Sequence, residues 1–467
     1  MKYLVFCCYL FSLGWSSLSF SQPWINTSEL SLRADIETLA DIGIITVPIT
    51  TYPLMWSGII KNIDYTDINN VPNEYKSVFW RVKNASKKAF SNKKNKQVSL
   101  TISNSEKVLR SFGDKQRGKS ELRALSSQTG KNIAWNVEVS RVLDPFDNET
   151  ISYEGSYVST VLGNWVASVG QVEKWWGSSW DSSNLLSNNA KAPLGLLVNR
   201  NYTNESENEF LKWFGSWNVT AFISRLERER TVAYPIFSGV SFSTKLLSSL
   251  ETSIRMTRLS AGDTPINLVN NKDKTIVGAD FRWSLPYTSN IGMPTNLYAG
   301  VTDEGFERYS SIIFGISSLF LAFDNQWRTY LEYTDSTSDV QSELTYSDNY
   351  YQTGYRFKQR SIGSTYDSQS KVTTFGLIAN IDRYQSIELK IQSLNINDSL
   401  VSNMTDIQNT LSFNPVKVTR IAINWDLKVN KNNQVQVELE LTDKIFDSYE
   451  RQNERYRAQV SWTHYFN

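Results

Sequence analysis

The segment NQVQVELELT, residues Asn433–Thr442, alternates apolar and polar side chains without interruption. Successive side chains of a β-strand point to opposite faces, so this segment predicts a strand with one apolar and one charged face. Gln385–Ile391 repeats the pattern, and similar segments recur from about residue 97 onward. A soluble β-sandwich gives the same alternation on any one strand. The many repeats, preceded by an export signal and followed by an aromatic last strand, favour a barrel with lipid outside and polar residues in its lumen.

Turns and loops along this part of the chain predict an all-β transmembrane fold, an antiparallel outer-membrane barrel of about eighteen strands. Strict alternation of the strands puts the tight turns on the periplasmic side and the long loops outside. The segments 193–200 and 352–359 each fit either a strand or a loop. We predict tight turns at 127–130, 163–164, 324–325 and 430–433, and long loops at 143–156, 174–192, 261–272, 336–370, 398–415 and 444–452.

Residues 1–21 have the pattern of a secretory signal peptide, with an apolar stretch over Tyr3–Leu13 and cleavage expected before Gln22. The apolar run is far shorter than the roughly 20 residues of a transmembrane helix. Both cysteines, Cys7 and Cys8, lie within it. A mature chain without cysteine would have no disulfides and no cysteine-based zinc site.

Residues 22–96 differ from the rest because their apolar residues have helical spacing. This spacing predicts one helix over 32–40, with Ser28 or Ser31 as its cap, a second after Pro53 and a third after Pro72. Three short helices bury little apolar surface alone. We therefore predict a small helical bundle that plugs the periplasmic end of a barrel formed by residues 97–467.

Charge and histidine content exclude several classes of function. Lys and Arg number 48 against 47 Asp and Glu, and this balance argues against a nucleic-acid-binding protein. The single histidine, His464, shares the predicted lipid face with Trp462 and Phe466, so a Ser-His-Asp site in the lumen is not expected. Glu438 and Glu440 share the lumen face about 7 Å apart, which leaves paired carboxylates as the enzymatic alternative.

No cofactor and no metal site is predicted, because one histidine without mature cysteines offers few of the ligands that transition metals prefer. Calcium at the Asp181–Asn184 cluster stays open as an alternative.

Four stretches, spread over nearly the whole mature chain, resemble the Wzi family of capsule-assembly outer-membrane proteins. They are SLRADIETLADIGIITVPITTYPLMW (Ser31–Trp56), GNWVASVGQVEKWWGSSWDSSNLLSNNA (Gly163–Ala190), WFGSWNVTAFISRLERER (Trp213–Arg230) and GYRFKQRSIG (Gly354–Gly363). The resemblance implies an eighteen-stranded barrel with an N-terminal helical bundle, acting as a lectin that holds capsular polysaccharide at the cell surface.

On this basis we expect a non-enzymatic lectin in the outer membrane that retains capsular or exopolysaccharide during capsule assembly. The alternative is a porin or transport channel for small solutes. The expected partners are the polysaccharide, outer-membrane lipid and, during biogenesis, the barrel-assembly machinery. We expect a monomer that binds no nucleic acid.

The first candidate for sugar recognition is a predicted outer loop that contains Trp175, Trp176 and Trp180. Sugar rings have apolar faces that stack on aromatic rings, and Asp181 and Asn184 could bind their hydroxyl groups. In the alternative interpretation, the tryptophans pack the loop or lie at the membrane interface.

The second candidate is the cluster of Tyr351, Tyr355, Arg356, Lys358 and Arg360. Many capsular polymers carry carboxylates, and arginine can bind a carboxylate with two hydrogen bonds. In the alternative interpretation, these residues form a strand that lines the lumen, because they also alternate.

Overall fold

A closed antiparallel β-barrel forms between Asn95 and Phe466. The computed structural model describes residues 23–91, 94–130, 132–145, 147–203, 212–263, 273–286, 293–304, 309–323, 325–337, 346, 350–382, 384–398, 409–447 and 454–466. The predicted signal peptide, residues 1–21, lies outside the described residues.

The strands are, in chain order, β1 (Trp24–Ile25), β2 (Thr51–Tyr52), β3 (Leu54–Met55), β4 (Asn95–Ser103), β5 (Ser120–Thr129), β6 (Ile133–Leu143), β7 (Ile151–Ser152), β8 (Tyr157–Leu162), β9 (Trp165–Gly170), β10 (Trp175–Trp176), β11 (Gly195–Arg200), β12 (Ser216–Arg225), β13 (Ile236–Leu247), β14 (Leu250–Ser260), β15 (Lys274–Ser284), β16 (Thr295–Glu304), β17 (Tyr309–Ala322), β18 (Asn325–Asp335), β19 (Arg356–Phe357), β20 (Arg360–Ser361), β21 (Ser370–Asn380), β22 (Gln385–Ile396), β23 (Val416–Lys428), β24 (Asn433–Thr442) and β25 (Tyr456–Phe466).

Within the described residues, nineteen of these strands join the barrel, and β25 pairs with β4 to close it. The short β7 and the longer β8 both pair with β6, so they occupy one strand position. The barrel therefore has eighteen positions, which confirms the predicted architecture. The segment 193–200, which fitted a strand or a loop, contains the strand β11.

The two faces of the barrel have the polarity predicted from the alternation. On β24, the outward-facing Leu439 is 52% exposed and the inward-facing Glu438 is 3% exposed. His464 lies on the outer face, with its ring 4.7 Å from Phe466 and 5.9 Å from Trp462. Exposed apolar side chains on successive strands form the lipid-facing surface of a transmembrane barrel.

The N-terminal domain contains three helices, α1 (Leu30–Asp41), α2 (Trp56–Tyr65) and α3 (Lys76–Ala89), as the helical spacing predicted. Their apolar faces meet in one core, in which Ile36, Ile59 and Phe79 are buried. The predicted cap of α1 was wrong. Glu29 occupies the cap position, and its side chain makes no capping hydrogen bond. No helix in the described part of the chain is long and apolar enough to cross a membrane.

The N-terminal domain lies at the end of the barrel where β15 ends and β16 begins. Asp41, the last residue of α1, accepts hydrogen bonds from Ser284 at 2.9 Å and Asn296 at 3.0 Å, and it pairs with Arg328 at 3.1 Å. Short connections such as Gly163-Asn164 lie at this same end, so it is the periplasmic end.

Three connections on the outer side fold into the barrel. They are the connections 104–119, 171–194 and 336–369, and many side chains of their described residues are buried. Of the third connection, residues 336–337, 346 and 350–369 are described. The second and third correspond to predicted long loops. The connection 104–119 was not predicted, because the first long loop expected from the sequence begins at residue 143.

Candidate functional site

The aromatic loop predicted to lie outside is instead buried in the lumen. Trp175, Trp176 and Trp180 are each at most 2% exposed. The two residues of β10 pair with β2 of the N-terminal domain, and Trp175 lies opposite Tyr52. The expected outward placement of these tryptophans was therefore wrong.

The physical reason is that the N-terminal domain and the loop 104–119 offer the tryptophans aromatic partners inside the barrel. Phe112 packs edge-on against Trp175 at 5.5 Å and against Tyr52 at 4.8 Å. The guanidinium of Arg33 lies 4.2 Å from the ring centre of Trp180, at cation–π distance. These rings have no face accessible to a polymer, so any role in sugar binding stays a prediction without structural support.

The polar residues beside the tryptophans are also enclosed. The Asp181 carboxylate accepts hydrogen bonds from Thr374 at 2.7 Å and Gln392 at 2.8 Å. Asn184 is buried, and its backbone oxygen accepts a hydrogen bond from Tyr346 at 2.6 Å. The described residues include no group of three or more His, Cys, Asp or Glu side chains that could hold a metal ion.

Part of the second predicted cluster is likewise buried. Tyr355 donates a hydrogen bond to the backbone oxygen of Leu185 at 2.9 Å, and Arg356 pairs with Asp367 at 2.9 Å. Tyr351 is 1% exposed. The predicted position of this loop outside the barrel was wrong, because its described part folds inward onto the loop 171–194. The role of these residues in sugar binding stays a prediction. The segment 352–359, considered as a strand, contributes only β19 to the short hairpin of β19 and β20.

Lys358 and Arg360 have a different environment, because they line a cleft at the outer end of the barrel. The cleft contains about 360 Å³ of empty space that includes open solvent. Described residues of four outer connections line it, and these connections are 104–119, 144–150, 171–194 and 336–369. The lining residues are Glu106, Arg117, Val142, Pro145, Asp147, Lys191, Lys358 and Arg360.

Two arginines form the floor of this cleft. Arg117 pairs with Glu154 and donates to the backbone oxygens of Asn189 at 2.9 Å and Ala190 at 3.0 Å. Arg360 pairs with Glu106, and it donates to the backbone oxygens of Val108 at 2.9 Å and Lys107 at 2.8 Å. Because both guanidinium groups bind backbone as well as carboxylate oxygens, the floor is held in a fixed shape.

Two lysines and the carboxylate of Glu149 form the rim of the cleft. The Glu149 side chain is 42% exposed, and its oxygens contact Lys358 at 2.6 Å and Lys191 at 3.3 Å. Lys191 also pairs with Asp147. Burial lowers the pKa of Lys358, but the hydrogen bond and charge of Glu149 outweigh it, so the pKa lies above its ordinary value. Lys358 is therefore charged at neutral pH.

Only Lys358 and Arg360 of this cleft were predicted from the sequence. The residues that complete it lie between positions 106 and 191. No local pattern distinguishes Glu149 or Lys191 from other charged loop residues, because their proximity arises only when the loops meet.

A sequence profile described as "Capsule assembly protein Wzi" matches residues 89–458 of this chain. The chain belongs to the Wzi family. The profile covers nearly the whole barrel, including the four connections that form the outer cleft. Family membership, together with the apolar outer face of the barrel, makes the chain an outer-membrane protein.

The chain is also similar to individual proteins. A protein of Klebsiella pneumoniae, described as an uncharacterized 55.8 kDa protein in the cps region, is 22% identical over 300 residues. That alignment covers 60% of this chain and 58% of the Klebsiella protein.

The solved structure of Escherichia coli Wzi is similar with a TM-score of 0.82 and 19% identity, covering 95% of this chain and 99% of that one. It is described as an outer-membrane protein involved in group 1 capsule assembly and as a carbohydrate-binding β-barrel. At this identity, the similarity establishes the shared fold.

Proposed function

We propose that this member of the Wzi family binds capsular or exopolysaccharide at the outer surface and retains it there during capsule assembly. The observation that carries the proposal is the charged cleft where four outer connections meet above a filled lumen. Its lysine, arginine and carboxylate groups match the hydroxyl and acidic groups of a polysaccharide. Monomeric action, contact with lipid and delivery by the barrel-assembly machinery remain expectations.

The filled lumen favours this function over that of a channel for small solutes. On the periplasmic side, α1 contacts the barrel wall through Asp41. On the outer side, the inward-folded loops bind each other, and Arg110 of the first loop receives a hydrogen bond at its backbone oxygen from Thr365 of the third. A polymer held on the outside needs no open passage.

A binding role without catalysis also agrees with the ion pairs of Glu438 and Glu440, the two lumen carboxylates considered above as an enzymatic pair. Glu440 pairs with Arg420 at 2.8 Å, and Glu438 pairs with Arg457 at 3.1 Å and with Lys107. A glycosidase needs one protonated and one ionised carboxyl group that both reach the sugar. Carboxylates fixed in ion pairs are poorly suited to that chemistry.

Incubation of the purified protein with capsular polymer should therefore leave the length of the polymer unchanged. Size-exclusion chromatography of the polymer before and after incubation is the measurement. Progressive shortening that disappears in a Glu438→Gln variant would instead identify an enzyme.

Retention of the polymer in vivo tests the proposed function directly. A strain without this gene should release capsular polysaccharide into the medium, and the intact gene should restore cell-bound polymer. Equal retention with and without the gene would contradict the proposal.

The Lys358→Met variant should bind purified capsular polymer about fivefold more weakly, because a partly exposed ionic contact contributes up to about 1 kcal/mol. Lys444→Met is the matched control, since Lys444 is an exposed outer-loop lysine that does not line the cleft. Biolayer interferometry with immobilised polymer measures both. An equal loss in the two variants would show that the cleft is not the contact site.

A further inference from the structure

We infer that the outer cleft recognises an acidic sugar, whose carboxylate replaces that of Glu149 between Lys191 and Lys358. The inference rests on the proposed function and names the chemical class of the polysaccharide. In the absence of ligand, the Glu149 carboxylate occupies the position that the ligand carboxylate would take.

The rim already holds one carboxylate between two lysines. The two oxygens of the Glu149 carboxylate are divided between the two lysines, with contacts of 2.6 Å to Lys358 and 3.3 Å to Lys191. A uronic acid also carries a planar carboxylate with two oxygens. A ligand carboxylate can therefore make both contacts without a new arrangement of the lysines.

Glu149 can be displaced more easily than the other acids around the cleft. Its side chain is 42% exposed, whereas those of Glu106, Asp147 and Glu154 are 10–12% exposed. Ion pairs at exposed positions contribute little to stability, so moving Glu149 into water costs little. The ion pairs of Arg117 and Arg360 keep the floor of the cleft in place while Glu149 moves.

The charges at the cleft are balanced while Glu149 occupies the rim. Among the described residues of the cleft and the ion pairs connected to them, five cations face five carboxylates, so the site is neutral while Glu149 occupies the rim. When Glu149 moves into solvent, one positive charge is left without a partner, and only an acidic ligand restores neutrality. The cations are Arg110, Arg117, Lys191, Lys358 and Arg360, and the carboxylates are Glu106, Asp147, Glu149, Glu154 and Glu173.

The experiment uses the full-length protein and the capsular polymer of its own strain in two forms. One form is native, and in the other the carboxyl groups are chemically reduced to alcohols. The wild-type protein should bind the native polymer at least about fivefold more tightly than the reduced form. The preference should weaken at high salt, because the contacts at the rim are partly exposed.

Glu149→Gln should bind the native polymer roughly three- to tenfold more tightly than the wild type does, because no carboxylate of the protein then competes with that of the ligand. The variant and the wild type should bind the reduced polymer with equal affinity. Glu229→Gln is the matched control, an exposed acid in another outer loop, and should change neither affinity. Lys358→Met should lose most of the preference for the native polymer.

The outcomes separate the two proposals. Equal wild-type binding of native and reduced polymer would overturn the inference and leave the proposed function intact, as would binding of a polymer that contains no acidic group. Binding of neither form would overturn the proposed function itself. A Glu149→Gln variant that folds, shown by its heat-dependent gel migration, but does not gain affinity for the native polymer would overturn the role assigned to Glu149.

Discussion

Asp41→Asn should lower the free energy of unfolding by about 3–5 kcal/mol, because it removes the nearer of the two carboxylates that pair with two buried arginines and leaves only Glu37 beside them. The Asp41 carboxylate is fully buried between Arg282 and Arg328. Burial raises the pKa of Asp41, but the charges of the two arginines outweigh it and hold the pKa below its usual range. Urea unfolding of the protein in detergent micelles measures the change.

Asp64→Asn provides the control, since Asp64 lies in the same domain, is 63% exposed and is 4.0 Å from Lys83. It should cost less than about 1 kcal/mol. Because the pKa of Asp41 is depressed in the folded protein, its contribution is complete above pH about 4 and is lost only as pH falls through the folded pKa. Equal effects of the two substitutions would show that Asp41 does not anchor the domain.

The full-length protein should form no large, steady channels in planar lipid bilayers. An eighteen-stranded barrel is wide enough for an aqueous channel when it is empty. In this chain the N-terminal domain and three inward-folded loops fill the lumen, and the pairing of β2 with β10 joins them. Deletion of residues 23–91 should therefore produce measurable ion conductance where the parent shows none.

Large and steady conductance from the full-length protein would contradict this expectation and favour the channel alternative. A deletion variant that folds as a barrel but conducts no ions would show that the loops alone close the lumen. Heat-dependent migration on gels establishes that each variant has formed its barrel.

The barrel could be predicted from the sequence because its cause is local. On β22 and β24 every second side chain meets lipid, so the polarity of each residue follows from its position in the strand. The helices of the N-terminal domain were predictable for the same reason, since the spacing of residues such as Ile36 and Leu39 repeats within one or two turns.

The interior of the barrel could not be predicted, because its contacts join distant parts of the chain. A tryptophan-rich loop beside Asp181 has the composition of a sugar-binding surface and also that of a packed plug. The partners that decide between them, Tyr52 and Phe112, lie 123 and 63 positions before Trp175. The cleft has the same limitation, because Glu149 and Lys358 are 209 positions apart.

The segment between α3 and β4 is short, and this limits how far the N-terminal domain can travel. Five residues separate Ala89 from Asn95, and even fully extended they span about 20 Å. A domain released from its ion pairs therefore stays beside the barrel mouth at an effective concentration in the millimolar range. Weakened anchors such as Asp41→Asn should then cause brief, flickering openings that reseal, and only removal of the domain should leave the passage open.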